Sequence, residues 1–201
     1  MTSGDVKELQ FITPIENLYS IVSKGIMSHD RIGSRPHLSV ADREVQARRE
    51  AKSVPPDQRK LHSYANLYLS ARNAMMFRVI KENGVDAMCV VCVDRAVLYR
   101  QGVMIADRNA AAGNCRFYGS PEGLAYINAD NIFCEWWTTG DSEQRMMAEV
   151  LVPNGVLPEL MTGMKVAGEK AKVAAVTALH GWWPSDHVEV DSHLFFVAAP
   201  Q

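Results

Sequence analysis

A single carboxylate, Glu149, interrupts the apolar stretch in the run EQRMMAEVLVPNGV. Alternation at a period of two places Met147, Glu149 and Leu151 on one face of a strand and Ala148, Val150 and Val152 on the other. Pro153, Asn154 and Gly155 then stop it. A buried carboxylate without a partner is costly. Glu149 is therefore a surface residue on a sheet edge, half of a buried pair, or a working group on the floor of a cleft. Upstream, Arg48 and Arg49 sit in a basic window with Arg31, Arg35, Arg43, Lys52, Arg59 and Lys60. Such a window concentrates positive potential for an anionic ligand, and reads equally well as a solvated basic helix. Cys89 and Cys92 have the C-x-x-C spacing of zinc and redox sites. DAMCVVCVD, however, reads as a buried strand that sends the two thiols to opposite faces. With Cys115 and Cys134 they read as reduced, structural cysteines of a cytoplasmic protein, and no metal is expected.

These groups need elements to hold them. Gln10–Ile12 reads as a short strand, and TPIE (Thr13–Glu16) as a capping box with Pro14 at the first helical position. Ile15, Leu18, Ile21 and Val22 form the buried stripe of the helix that follows, and Gly25 stops it. SVADREVQARREAKSV is a second helix with Val40, Val45 and Ala41 or Ala47 toward the core, and Arg48 and Arg49 near its C-terminal half, where cations suit the helix dipole. LHSYANLYLSARNAMMFRVI reads as a strand or turn entering a short helix; His62 and Tyr68 in it are more often structural than functional residues. DAMCVVCVD is the clearest strand. Residues 100–142 form a long, partly helical excursion carrying Arg108, Arg116, Phe117, Tyr118, Trp136 and Trp137, and such excursions often serve function. After the Glu149 strand come a turn and strand (GVLPELMTGMKVAG), a helix (EKAKVAAVTALHG) and a final strand or two (HVEVDSHLFFVA).

Composition bounds the rest. The chain has 201 residues, 47% of them hydrophobic and 22% charged, which fits one domain with a sizeable core. No linker, repeat or low-complexity run divides it. A net charge of −2 excludes a protein that coats nucleic acid through its overall charge. No secretion signal or membrane span is read from the sequence. Short strands alternate with a few helices without a βαβ rhythm, which favours α+β. G-x-G-x-x-G and the P-loop are both missing from the sequence, so any nucleotide is bound by other means.

The stretches FITPIENLYSIVSKGI, SVADREVQARR, LHSYANLYLSARNAMMF, ADRNAAAGNCRFYGSPEGLAYINADNIF and AEVLVPNGV, in this order, resemble the DarT-like DNA ADP-ribosyltransferases, the toxin half of a bacterial toxin–antitoxin or phage-defence system. The resemblance runs from about Phe11 to Phe196. It implies a compact α+β ADP-ribosyltransferase fold in which two small, mostly antiparallel sheets with flanking helices form a cleft for NAD, the co-substrate. The family's catalytic glutamate falls on Glu149 and its essential arginine on Arg49. The cofactor contacts fall on Phe11, Ile12, Thr13, Asn17, Arg49, Tyr68 and Met75. The excursion matches the target-recognition loop. There Arg108 and Arg116, with Arg48, would meet phosphates, while Tyr118, Trp136 or Trp137 would stack on bases; core packing of the tryptophans is the alternative.

The implied partners are single-stranded DNA and a macrodomain-type or related ADP-ribosyl hydrolase antitoxin (DarG-like), with no membrane. Relatives divide between thymine and guanine acceptors, and general resemblance leans to guanine. Many relatives have His where this chain has Phe11, and another where it has Pro14. Phe11 cannot hydrogen-bond through its side chain, so Thr13 or the backbone would replace that contact. An RNA, protein or small-molecule acceptor, or a non-catalytic nucleic-acid-binding module with a structural Glu149, are the competing readings.

Overall fold

The computed structural model describes residues 1–197; the last residue of the HVEVDSHLFFVA segment, Ala198, lies outside them. In chain order the strands are β1 (Glu8–Pro14), β2 (Ile26–Met27), β3 (Ser53–Val54), β4 (Arg59–Lys60), β5 (Tyr64–Tyr68), β6 (Met88–Asp94), β7 (Met104–Ala106), β8 (Phe117–Gly119), β9 (Glu149–Pro153), β10 (Gly155–Val156), β11 (Met161–Val166) and β12 (Val188–Val190). The helices are α1 (Leu18–Lys24), α2 (His29–Ile32), α3 (Arg43–Glu50), α4 (Ala74–Asn83), α5 (Ala129–Ile132), α6 (Gly140–Met146) and α7 (Glu169–Ala178).

Eight strands form one sheet in the order β12-β11-β6-β1-β5-β9-β7-β8, with β2–β10 and β3–β4 as small ribbons. All pairings in the large sheet are antiparallel except β11–β12. β1 pairs with β6 along its whole length, from Glu8↔Asp94 to Pro14↔Met88, but meets β5 only at Gln10↔Tyr68. The two expected sheets are thus two four-stranded halves joined by a single residue pair, and the chain opens between them. Gln10 strengthens the joint, since its buried side-chain carbonyl accepts from the backbone N–H of Ala71 at 2.6 Å.

The core has a layer on each face of the sheet. β6 is apolar throughout because both its faces are covered: Cys89, Val91 and Val93 belong to one layer, Met88 and Val90 to the other. α1 (Leu18, Ile21, Val22) and α7 (Ala171, Ala175) pack on the first, and α4 (Met76, Val79) on the second. The alternation read for β9 holds. Ala148, Val150 and Val152 enter the first layer, while Met147 and Leu151 face the other way with Glu149.

Three local expectations change. Thr13 does not cap a helix: β1 runs on through Pro14, Thr13 pairs with Cys89, and a 3-10 turn at Ile15–Asn17 enters α1 without a side-chain cap. A full set of ladder hydrogen bonds outweighs one capping bond. α3 has no apolar buried face; Ala41 and Ala47 are exposed, Val40 and Val45 half-buried, and Arg49 is its one buried residue. The 100–142 excursion is more ordered than its composition suggests, because β7 and β8 extend the sheet beyond β9.

Gly25 ends α1 with φ of +89°, and a Cβ built there would lie 2.3 Å from the carbonyl oxygen of Val156. Gly25→Ala should therefore lower the unfolding free energy by about 2 kcal/mol or more, measured as a shift in the denaturant midpoint, while the exposed Lys24→Ala next to it should leave the midpoint nearly unchanged.

Candidate active site

The two halves of the sheet open into a cleft of about 960 Å³, a volume sufficient for a drug-sized or dinucleotide ligand. Phe11–Pro14 of β1, Asn66 and Tyr68 of β5, and Glu149 at the start of β9 line it. Asn17, α3 and residues 35–42 close one side, α4 contributes Met75, Phe77 and Arg78, and Asn109, Ala111–Gly113, Gln144 and Trp137 complete it.

Glu149 is 1% exposed. Arg49 Nη1 donates to its two carboxylate oxygens at 3.1 and 3.0 Å, and the backbone N–H of Ala110 donates to Oε1 at 2.9 Å. The residue is both half of a buried pair and the polar floor of a cleft, so two readings open at sequence level hold together. Its position between β5 and β7, opposite Tyr68 and Ala106, makes the carboxylate rigid. Ala110 is held in turn: Asn109 N–H donates to the Gln144 carbonyl at 2.9 Å, and the Asn109 side-chain oxygen accepts from Ala111 N–H at 2.9 Å.

Tyr68 lies across the ladder from Glu149. Burial, and secondarily the Glu149 charge, push its hydroxyl well above the usual phenol range, so it stays protonated. That hydroxyl donates to the Met75 sulfur at 3.0 Å, which couples two residues that the resemblance assigned separately. Asn17 lines the cleft, but its amide grips the chain: Nδ2 donates to the Leu38 carbonyl at 2.8 Å and Oδ1 accepts from Leu38 N–H at 2.9 Å. With Arg78, which donates to the Val40 carbonyl at 2.8 Å, it holds the segment leading into α3 against the cleft. Thr13 is buried and accepts from Asn17 Nδ2 at 3.4 Å; Ile12 and the half-buried Phe11 complete that end.

The nucleic-acid candidates separate. Arg48 is exposed and lines the cleft. Arg108 is not available to a phosphate: it is 5% exposed and its guanidinium donates to Asp107 and Asp141. Two acidic partners flank it in the fold, and the sequence does not show which carboxylates reach it. Arg116 is exposed, and Tyr118 on β8 stacks on Tyr126 at 4.1 Å; neither lines the cleft. Trp136 is 47% exposed and stacks on Trp137 at 4.6 Å, with Phe77 and Phe196 against their edges. Trp137 and Phe77 reach the cleft and Trp137 also packs against the core layer on that face, so the pair forms an aromatic shelf at the cleft's side that is rooted in the core. The sequence reading missed Asn66, Asn109 and the Ala110 N–H. A backbone donor leaves no signal in residue type.

The split, mostly antiparallel sheet with a glutamate paired to an arginine on the floor of a large cleft agrees with the ADP-ribosyltransferase fold that the sequence resemblance implied. A family model described as "ssDNA thymidine ADP-ribosyltransferase, DarT" matches residues 11–196, and the chain belongs to this family. A DNA ADP-ribosyl transferase–DNA ADP-ribosyl glycohydrolase fusion protein of Thermosipho africanus (strain H17ap60334) is 32% identical over 170 residues, covering 80% of this chain and 42% of that protein. The structure of Thermosipho africanus DarTG in complex with ADP-ribose superposes with a TM-score of 0.84 at 29% identity, over 95% of this chain and 51% of that one. The chain thus spans about half the length of that relative. A DNA ADP-ribosyl transferase of Thermus sp. (strain 2.9) is 24% identical over 79% of this chain and 82% of its own. Its structure in complex with ADP-ribosylated ssDNA gives a TM-score of 0.86 at 21% identity, over 98% and 99% of the two chains, and shares the fold.

Because Arg49 and Glu149 are both buried, Arg49→Met should destabilise the protein by about 3 kcal/mol by stranding a charge. The double variant Arg49→Met/Glu149→Leu should recover part of that loss in equilibrium unfolding. Additive losses would show that the pair contributes nothing as a pair.

Proposed function

We propose that the chain is an NAD-dependent transferase that attaches ADP-ribose to thymidine in single-stranded DNA. The observation that carries this reading is Glu149, held by Arg49 and the Ala110 N–H on the floor of a dinucleotide-sized cleft. The donor set fits the co-substrate. Arg48 offers a cationic donor for the phosphates, while Arg78 is held by Glu82 and the Val40 carbonyl, and the protonated Tyr68 offers a flat face beside Glu149. NAD supplies an activated ribose whose nicotinamide leaves with the electron pair of the broken C–N bond.

Glu149 faces the positive charge that develops on that ribose and stabilises it electrostatically, as a carboxylate does in glycoside hydrolysis. Arg49 and Ala110 N–H occupy part of the carboxylate's acceptor capacity and fix its orientation, leaving Oε2 the less committed oxygen for a ribose hydroxyl. In thymidine N1 already bears the sugar, so N3 is the ring nitrogen that can attack and release a proton, and Glu149 or water takes that proton. The base must be unpaired to present N3. Trp137 and Trp136 are placed to stack on bases beside the cleft, and Arg48 and Arg116 are exposed for phosphates. The 100–142 run would select the acceptor. The family description supports thymidine over the guanine lean.

The cell would need to remove or block such a modification. The glycohydrolase joined to the transferase in the Thermosipho relative supports a DarG-like antitoxin as partner, with the chain acting as the toxin. No helix of the described residues is long and apolar enough to cross a membrane; a DNA acceptor supports the reading that the protein works in the cytoplasm.

The test is mass spectrometry of single-stranded oligonucleotides of defined base content after incubation with NAD. An ADP-ribose adduct only where thymidine is present is expected. Glu149→Gln keeps an acceptor for Ala110 and should lower transfer by about 10³-fold; normal transfer would remove Glu149 from the mechanism. Arg49→Ala should cost far more activity than Arg48→Ala, and equal losses would reduce the two arginines to a basic patch. Trp137→Ala should raise KM for the oligonucleotide about tenfold with KM for NAD little changed, read from initial rates.

A further inference from the structure

Beside the nucleotide cleft, and sharing Ser39, Ala41 and Gln46 with it, a second hollow is lined by His29, Glu50 and His62. We propose that His29, Asp30 and His62 form a site for one first-row divalent metal ion of the zinc type, binding beneath α3. The three residues come from two separate segments, α2 and the turn before β5, and one donor atom from each lies within 4.8 Å of the other two. Zinc bonds of about 2.0–2.1 Å require donors closer together than that limit. His29 and Asp30 are exposed and free to swing inward, while His62 is buried and fixes the position.

Several observations point to a cation. The two imidazoles lie with centroids 4.1 Å apart and planes 27° apart, and a turn of the exposed His29 ring out of this stack would bring both ring lone pairs onto one ion within the 4.8 Å cluster. Two imidazoles and one carboxylate suit zinc, nickel or copper and not magnesium or calcium, which prefer oxygen alone. Arg49 on α3 would oppose a nearby cation if its charge were unbalanced, but Glu149 neutralises it. Glu50 or water would complete the coordination, since Glu50 lines the same hollow. Gln46 of α3 already lies 3.0 Å from His62 Nε2, so the site adjoins the helix that carries Arg49. An ion would tie α2 and the His62 turn together under that helix. Its role is to fix this platform, and the transfer reaction does not pass through it.

The experiment titrates Zn²⁺ into the chelator-treated full chain by calorimetry and follows Co²⁺ binding by absorption. His29→Ala and a Cys115→Ser/Cys134→Ser variant run beside the parent. One saturable ion, a Co²⁺ spectrum without thiolate bands, and a Tm that rises with Zn²⁺ are expected. His29→Ala, at an exposed position, should weaken binding by about tenfold or more and abolish the Tm rise, and the cysteine variant should match the parent. Absence of saturable binding, binding that survives His29→Ala, or binding lost with the two cysteines would each overturn the proposal. No readout depends on transferase activity.

Discussion

The contact between Arg49 and Glu149 organises this molecule. It joins a helix with no apolar face of its own to β9, in the half of the sheet beyond the break, where both side chains are buried on the floor of the cleft. A charged pair in that setting gives little net stability against an apolar pair of the same shape, but losing either member leaves a stranded charge. The pair therefore fixes the position of both groups more than it adds net stability, and Arg49, the one buried residue of the helix, is what ties α3 to the sheet.

The cleft exists because the sheet is nearly two sheets. β1 commits all its length to β6 and a single residue to β5. Each half keeps its own ladder, so the break costs few hydrogen bonds and opens a concavity whose walls are already rigid. The polar residues that face it come from strand ends and from turns held by side-chain bonds, such as Asn109 under Ala110 and Asn17 under Leu38. Such a site is largely formed before its ligand arrives, which lowers the ordering cost of binding.

One side of this cleft carries an aromatic shelf of Trp136 and Trp137 braced by Phe77 and Phe196. Arg72 lies 4.2 Å over the Phe196 ring and pairs with Glu135, so the shelf is anchored to the C-terminal turn as well as to α4. Flat, braced and partly exposed faces suit stacking with nucleobases at low entropic cost.

Much of this could be read from residue order alone. The alternation around Glu149, the doubly buried run of β6, the stripe of α1 and its stop at Gly25 follow from periodicity and backbone stereochemistry, which act over a few residues. The order of five segments pointed to the family that the family model shows, and that resemblance assigned roles to the glutamate and the arginine. Tertiary structure decided what depends on distant partners. Thr13 gave up its cap because β6 offered a ladder; Arg108 was withdrawn from solvent by Asp107 and Asp141; Asn17 was spent on Leu38. His29 and His62 were brought into one stack from opposite sides of α3 in the chain. Pairing of polar groups across long sequence separation depends on where the chain folds back. Local propensity carries no record of that, and a backbone donor such as Ala110 N–H carries none at all.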